Sequence, residues 1–311
     1  MYKKDIFKKL DSKYNTHLYT GLLGFTMRYC HRQLEKFDRR KKYSKVLEIG
    51  AGSAPHIDYL KHEYDEYFIA ETSNSALETY KENKNIKAFH YDGSKLPFED
   101  NLFDRIIISH CLEHINNPEP FLFEMMSKLK KDGVLSISLP TDPGQLWRFG
   151  RKIIKYFILK KTYKVSSEEY EYINATEHVN SIFNLISLIR YNFKGQISER
   201  FLPFKIKLVD INLFYNVHIF KWKMKIYYWS PFISKVATVS SVIRSAESIL
   251  KYSERRESIN VSIIDAIGEW TNYRKIIDPN INIINLNKKN ISDFLPKDSF
   301  LKSRFSYIFI F

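Results

Sequence analysis

The stretch Lys45-Val46-Leu47-Glu48-Ile49-Gly50-Ala51-Gly52-Ser53-Ala54-Pro55-His56 constrains this chain more than any other. An apolar run ends in an acid, passes through Gly-x-Gly and meets a proline that can open a helix. That is the grammar of a strand–loop–helix nucleotide site. Glycine lets the backbone turn sharply and lets a ligand approach the main chain. A helix start behind the loop leaves N–H groups pointing at that ligand. The dinucleotide fingerprint asks for a third glycine where Pro55 stands, which weakens the case for a nicotinamide or flavin cofactor. No Gly-Lys-Ser/Thr follows, so the loop is not a phosphate-cradling P-loop.

From this loop the pattern becomes regular. Apolar runs at about 44–49, 67–70, 86–89, 103–109 and 134–139 read as strands, the second ending at Glu71. Between them, helices are expected from Pro55, over about 75–83 and over about 118–130. Apolar strands alternating with helices mean an α/β fold: a Rossmann-like, doubly wound, mostly parallel sheet with helices on both faces. Ligands in that architecture sit at the carboxyl ends of the strands.

The flanks are less regular. Residues 1–43 read as an N-terminal helical cap, with Tyr14, Leu18, Leu22, Phe25 and Met27 as its apolar stripe. Past Pro140 come a basic, aromatic stretch at 146–162, read as a core helix, and a helix over 178–193. Two extended pieces at about 204–209 and 213–222 suggest an antiparallel hairpin at the sheet edge. A helix over 231–257 and short strands near 260–264, 280–284 and 307–311 follow. The expected division is therefore 1–43, a central domain over 44–222 with an acceptor-pocket insertion at about 143–200, and a C-terminal extension over 223–311. Residues 293–300 echo 96–103, either as part of a second copy of the motif or by chance.

Composition narrows the class. With 44% hydrophobic and 15% aromatic residues in 311, the chain is not a disordered one. Its formal net charge of +14 points to anionic partners, or simply to solvated lysines. Only Cys30 and Cys111 occur, which excludes a disulfide framework. The N-terminus lacks the apolar core of a signal peptide, and no charge-free run approaches membrane-spanning length. The expected location is the cytoplasm, with the inner face of the membrane as the alternative.

Four stretches in order resemble the class I S-adenosylmethionine-dependent methyltransferases. They are Val46–Gly52, Glu71 at the end of the second strand, Tyr91-Asp92-Gly93, and Leu96–Asp104 running into Ile107–Ile115. Lys131-Asp132-Gly133-Val134-Leu135 adds the turn before the fifth strand. The resemblance implies S-adenosylmethionine as cofactor, with Glu48, Gly50, Ala51, Gly52, Glu71, Asp92, Gly93 and His110 around it. Glu71 is the acid expected on the ribose hydroxyls, about 20 residues past the loop. Past residue 142, Thr141–Arg148, Glu177–Leu185 and Ile211–His218 are similar to methyltransferases of bacterial surface-polysaccharide pathways. That implies a sugar, sugar-nucleotide or lipid-linked glycan acceptor.

Methyl transfer from a sulfonium is an in-line displacement, so the protein mainly positions the acceptor. An oxygen acceptor also loses a proton, a task that suits histidine. His178 is the candidate base or acceptor-orienting group, and His114 the weaker alternative, more readily read as a core or capping histidine. His218 reads as structural. His110-Cys111-Leu112-Glu113-His114 lacks the His-Glu-x-x-His order of a helical metal site, so no metal is expected there. Arg148 and Arg151, among Trp147, Phe149 and Tyr156, suit a phosphorylated acceptor, and Asn180 joins them as a candidate acceptor contact. The same basic, apolar stretch could rest on an anionic membrane surface. Other small molecules or nucleic acid are alternative acceptors, although no strong nucleic-acid motif is present. A non-catalytic binding protein of the same fold is the alternative of another class.

Overall fold

A computed structural model describes residues 19, 23–36, 41–52, 55–81, 83, 85–155, 165–221, 224–229, 236–252, 259–265, 269–285 and 307–310. The chain divides into two compact units, 1–221 and 222–311.

The first unit is built on a seven-stranded sheet in the order β3-β2-β1-β4-β5-β7-β6. Its strands are β1 (Lys42–Ile49), β2 (Glu63–Glu71), β3 (Ile86–His90), β4 (Phe103–Ser109), β5 (Leu129–Pro140), β6 (Ile197–Leu202) and β7 (Phe214–Phe220). The first five run parallel, and β7 pairs antiparallel with both β5 and β6. Successive strand residues point to opposite faces. Leu47, Ile49, Ile106 and Ile108 therefore enter one core, while Val46, Ile69 and Ile107 enter the other. A sheet apolar on both faces needs cover on both, which is why these strands read as near-continuous apolar runs. The strand order reverses between β1 and β4, so the loops leaving their carboxyl ends open a crevice.

Around the sheet lie α1 (Leu23–Leu34), α2 (Asn74–Tyr80), α3 (Pro118–Lys128), α4 (Gln145–Ile154), α5 (Ser167–Glu177) and α6 (Ile182–Asn192). Helix α1 is tied to the sheet through Cys30: its Sγ lies 2.8 Å from Ser138 Oγ, and its carbonyl accepts from Asn216 Nδ2 at 3.2 Å. Of the expected N-terminal stripe, Met27 packs beside Cys30 but Phe25 is exposed; Tyr14, Leu18 and Leu22 lie outside the described residues. Helix α5 starts with a reciprocal capping box between Ser166 and Glu169. Ser181 caps α6, accepting from the Asn184 N–H at 3.3 Å.

Four expectations need correction. The helix after Pro55 is only a 3₁₀ turn, His56–Tyr59, closed by the Leu60 N–H on the Ile57 carbonyl. The helix read over 178–193 begins at Ile182, and His178 caps the end of α5 instead. The strand before β7 is 197–202, whereas 204–209 form a loop. Helix α4 is no core helix: none of its residues is buried, and Phe149 is 60% exposed.

The second unit holds four parallel strands in the order β10-β9-β8-β11: β8 (Met224–Trp229), β9 (Ile259–Asp265), β10 (Asn282–Asn285) and β11 (Tyr307–Ile310). Helix α7 (Val236–Tyr252) joins β8 to β9, and its Val239, Ile243 and Ala246 pack with Val261, Ile263 and Trp270. This order repeats that of β3-β2-β1-β4. Asp265 closes β9 as Glu71 closes β2, and its carboxylate accepts from the Trp270 N–H at 3.1 Å. The echo at 293–300 lies outside the described residues.

Candidate functional site

Strand β1 delivers its loop to the crevice, and two glycines shape it. Gly50 and Gly52 have φ of +68° and +56°, the left-handed region that glycine adopts without strain. A Cβ on Gly50 would stand 2.7 Å from Cys111 Sγ, so the loop and the end of β4 touch only because position 50 has no side chain. A Cβ on Gly52 would meet nothing within 4 Å: that side of the loop is open to a ligand. The Ala51 side chain turns into the core beside Val46 and Tyr67. Ser53 and Ala54 lie outside the described residues.

Glu48 does not reach the crevice. Its Oε1 accepts from the His56 N–H at 2.8 Å and its Oε2 from the Tyr67 hydroxyl at 2.6 Å. Burial pushes the carboxyl up to about 7, although both hydrogen bonds work against that. Glu48 thus closes the loop by pinning its far end, and the expectation of a direct cofactor contact gives way to this bracing role.

Glu71 does lie at the loop. Its Oε2 accepts from the Gly52 N–H at 2.8 Å, and its Oε1 from the Ser73 N–H at 2.9 Å and the Thr72 hydroxyl at 3.3 Å, which leaves a lone pair on Oε2 for a ligand hydroxyl. Asp92 and Gly93 follow β3 and are exposed; Asp92 accepts from the Ser94 N–H and hydroxyl, which hold it below its ordinary value. His110, at the end of β4, has φ of +53°. Burial, followed by the nearby His114 and His178, pushes it down to about 3, so its ring is neutral.

Three buried polar atoms at these strand ends have no hydrogen-bond partner among the described residues: Tyr91 Oη, Ser109 Oγ and His110 Nε2. Buried polar atoms normally find partners. Orphaned atoms beside an open glycine loop and a strand-end acid fit a polar ligand. S-adenosylmethionine fits this donor and acceptor set. Gly50 to Gly52, Glu71, Asp92-Gly93 and His110 are the groups that would hold it.

The acceptor side is assembled from three further segments. Asp142 follows β5 and accepts from His178 Nδ1 at 2.8 Å. Arg151 of α4 donates to both Asp142 oxygens at 3.2 Å and to Glu171 at 2.9 Å. Burial alone would raise Asp142, but the His178 hydrogen bond and the Arg151 charge bring it below its ordinary value. His114 lies in the 3₁₀ turn Leu112–His114, its Nδ1 donating to the Glu177 carbonyl at 2.8 Å, and its ring meets that of His178 edge to face at 5.0 Å. The two candidate histidines are therefore neighbours.

Two expected acceptor contacts have other work. Arg151 is engaged by Asp142 and Glu171, so it organises the site from behind. Asn180 donates its Nδ2 to the Ile115 carbonyl at 2.6 Å and its backbone N–H to the Glu113 carbonyl at 3.1 Å, tying the 112–115 turn to α6. Arg148 is exposed on α4. Asp142 had no assigned role in the sequence reading; its place at the carboxyl end of a central strand was the available signal.

Known proteins bear on this geometry. Residues 47–137 match the family model described as a methyltransferase domain. The demethylmenaquinone methyltransferase of Staphylococcus haemolyticus is 29% identical over 181 residues, covering 54% of this chain and 74% of that protein. That of Staphylococcus aureus is 30% identical over 154 residues, covering 43% of this chain and 64% of its own length. Among solved structures, a SAM-dependent methyltransferase of Thermotoga maritima superposes at a TM-score of 0.48 with 19% identity, covering 70% of this chain and 99% of that one. Residues 47–137, which hold the loop after β1, Glu71 and the end of β4, are thus the part of the chain that is similar to a methyltransferase domain.

Proposed function

We propose that this chain methylates a hydroxyl of a sugar, sugar nucleotide or lipid-linked glycan in surface-polysaccharide synthesis. The observation that carries an oxygen acceptor is the Asp142–His178 pair at the end of β5. Bound S-adenosylmethionine supplies an electrophilic methyl group on a sulfonium. An oxygen nucleophile must shed its proton as it attacks. A carboxylate can only accept, so Asp142 fixes the proton of His178 on Nδ1 and leaves Nε2 to receive the acceptor's. A positioned base of this kind accelerates the step by roughly 10²–10⁴-fold.

The lipid-linked member of the acceptor class is favoured by a groove of about 570 Å³ beside α4, lined by Leu146, Phe149, Phe204, Ile206 and Ile211 among others. Phe149, Phe204, Ile206 and Leu208 are exposed, and Arg148, Lys152, Lys205 and Lys207 stand exposed among them. Apolar side chains interleaved with cations suit an anionic membrane surface. No helix among the described residues is long and apolar enough to cross a membrane.

A second reading, methylation of demethylmenaquinone, is favoured by the two staphylococcal relatives. Labelled-methyl transfer assays separate the readings. Lipid-linked saccharides and sugar nucleotides should be labelled and demethylmenaquinone should not; the reverse pattern would replace the proposal. Binding to anionic vesicles, lost in Phe149→Ser with Lys152→Glu, tests the surface, and equal binding to neutral vesicles would remove it.

A further inference from the structure

Three lone-pair groups converge beside Asp142 with no donor between them. His114 gives its Nδ1 proton to the Glu177 carbonyl, which can only accept, so its Nε2 carries a lone pair. His178 gives its Nδ1 proton to Asp142, so its Nε2 does the same. Glu113 is 4% exposed, and its Oε2 has no hydrogen-bond partner among the described residues. One ligand atom from each of these three residues lies within 4.8 Å of the other two. A buried carboxylate without a donor is costly.

We propose that Glu113, His114 and His178 bind one divalent cation of the zinc type. Two imidazoles and one carboxylate are a donor set that zinc takes at catalytic sites, with a position left for substrate. Ligand bonds near 2.0–2.1 Å put tetrahedral donors about 3.3 Å apart, so the three atoms need close by only about 1.5 Å, which side-chain rotation supplies. The supporting contacts are already made. A metal-binding histidine ordinarily donates its other nitrogen to a carboxylate or carbonyl, as His178 does to Asp142 and His114 to Glu177. Arg151 in turn holds Asp142.

Occupancy of this site needs nothing from the functional reading, but its role in methyl transfer rests on it. There the cation replaces the imidazole as the activating group. It lowers the pKa of the acceptor hydroxyl as a Lewis acid. The O–H bond breaks and its proton passes to water. The oxygen bonds the methyl carbon, and the electron pair of the broken C–S bond stays on sulfur. In the metal-free chain His178 Nε2 receives that proton; with the cation bound, His178 is a ligand and water takes the proton instead.

The test uses the untagged full chain, stripped with chelator and titrated with Zn²⁺ and, separately, Co²⁺. One Zn²⁺ per chain should survive dialysis, and Co²⁺ should give the visible absorption of a tetrahedral N/O site. Glu113→Gln, His114→Ala and His178→Ala should each weaken Zn²⁺ binding more than 100-fold. Asp142→Asn should weaken it by roughly 10–100-fold. No stoichiometric Zn²⁺ on the unmodified chain, or equal retention by the double variant of His114 and His178, overturns the site. The Co²⁺ spectrum needs no variant, so a misfolded mutant cannot decide the matter. Calorimetric titration of the same samples with S-adenosylmethionine keeps the two claims apart. Cofactor binding and chelator-resistant turnover without Zn²⁺ overturn the cation's role in methyl transfer alone; Zn²⁺ binding without cofactor binding supports the metal and overturns the methyltransferase reading.

Discussion

Replacing Gly50 with alanine tests why the loop after β1 has the shape it has. Two costs add. An L-residue at φ of +68° pays roughly 1–2 kcal/mol for the left-handed conformation. The new Cβ would also sit 2.7 Å from Cys111 Sγ and 3.0 Å from its Cβ, an overpacking worth about 1–3 kcal/mol. The expected loss is therefore about 2–5 kcal/mol. Gly195, with φ of +80° and nothing within 4 Å of its would-be Cβ, isolates the first cost. Gly195→Ala should lose only about 1–2 kcal/mol. Cys111→Ala removes the Sγ contact and leaves the Cβ at 3.0 Å, so the double variant with Gly50→Ala should recover part of the difference, a coupling that a mutant cycle reads directly. With two units in the chain, bulk unfolding is not one transition. Hydrogen exchange of the β1 and β4 peptides in increasing urea reports the first unit alone. The reasoning is refuted if Gly50→Ala costs no more than Gly195→Ala, or if Cys111→Ala restores nothing.

Other consequences follow from named contacts. Glu48 stands at about 7 against an ordinary 4.5, a raised acid, so the folded state holds the extra proton. Its contribution to stability is full below the unfolded value and falls as pH rises from 4.5 to 7, by about 3 kcal/mol. Buried histidines such as His110 titrate in the same range with the opposite sign, so the measurable quantity is the difference between the unmodified chain and Glu48→Gln. That difference should shift toward the glutamine variant between pH 5 and pH 8, and a flat difference would remove Glu48 as a buried acid. Asn180→Ala deletes the donor to Ile115 and should cost about 1–3 kcal/mol. It should also slow turnover while leaving cofactor affinity unchanged, since the 112–115 turn carries Glu113 and His114; kinetics and calorimetry on one sample read both.

What the sequence disclosed and what it hid follow from the range of each signal. Ile106, Ile107 and Ile108 alternate between two cores, so the strand and its double cover are visible in the run itself. Gly50, Gly52 and Glu71 were legible because a loop and the acid of the next strand lie close in sequence. Phe204-Lys205-Ile206-Lys207-Leu208 imitates a strand by alternating apolar and charged residues. Yet Lys205 has φ of +63°, and all five are exposed, while the less regular Ile197–Leu202 forms β6. The helix expected behind Pro55 is a single 3₁₀ turn, His56–Tyr59, and the proline that can open a helix does not set its length. His178 comes 64 residues after His114, across β5 and three helices, and no spacing rule anticipates that they meet or that Glu113 faces both. The parallel order of β8 to β11 was equally hidden, because pairing between strands is not written in any one of them.

The central claim is that a cofactor binds at the carboxyl ends of β1, β2 and β4. Its most direct test is calorimetric titration of the full chain with S-adenosylmethionine, beside Glu71→Ala. One site per chain is expected, in the micromolar range usual for enzyme ligands. The variant should bind at least tenfold more weakly, a loss of about 1.4 kcal/mol or more. No heat of binding, or equal affinity in Glu71→Ala, would contradict the account.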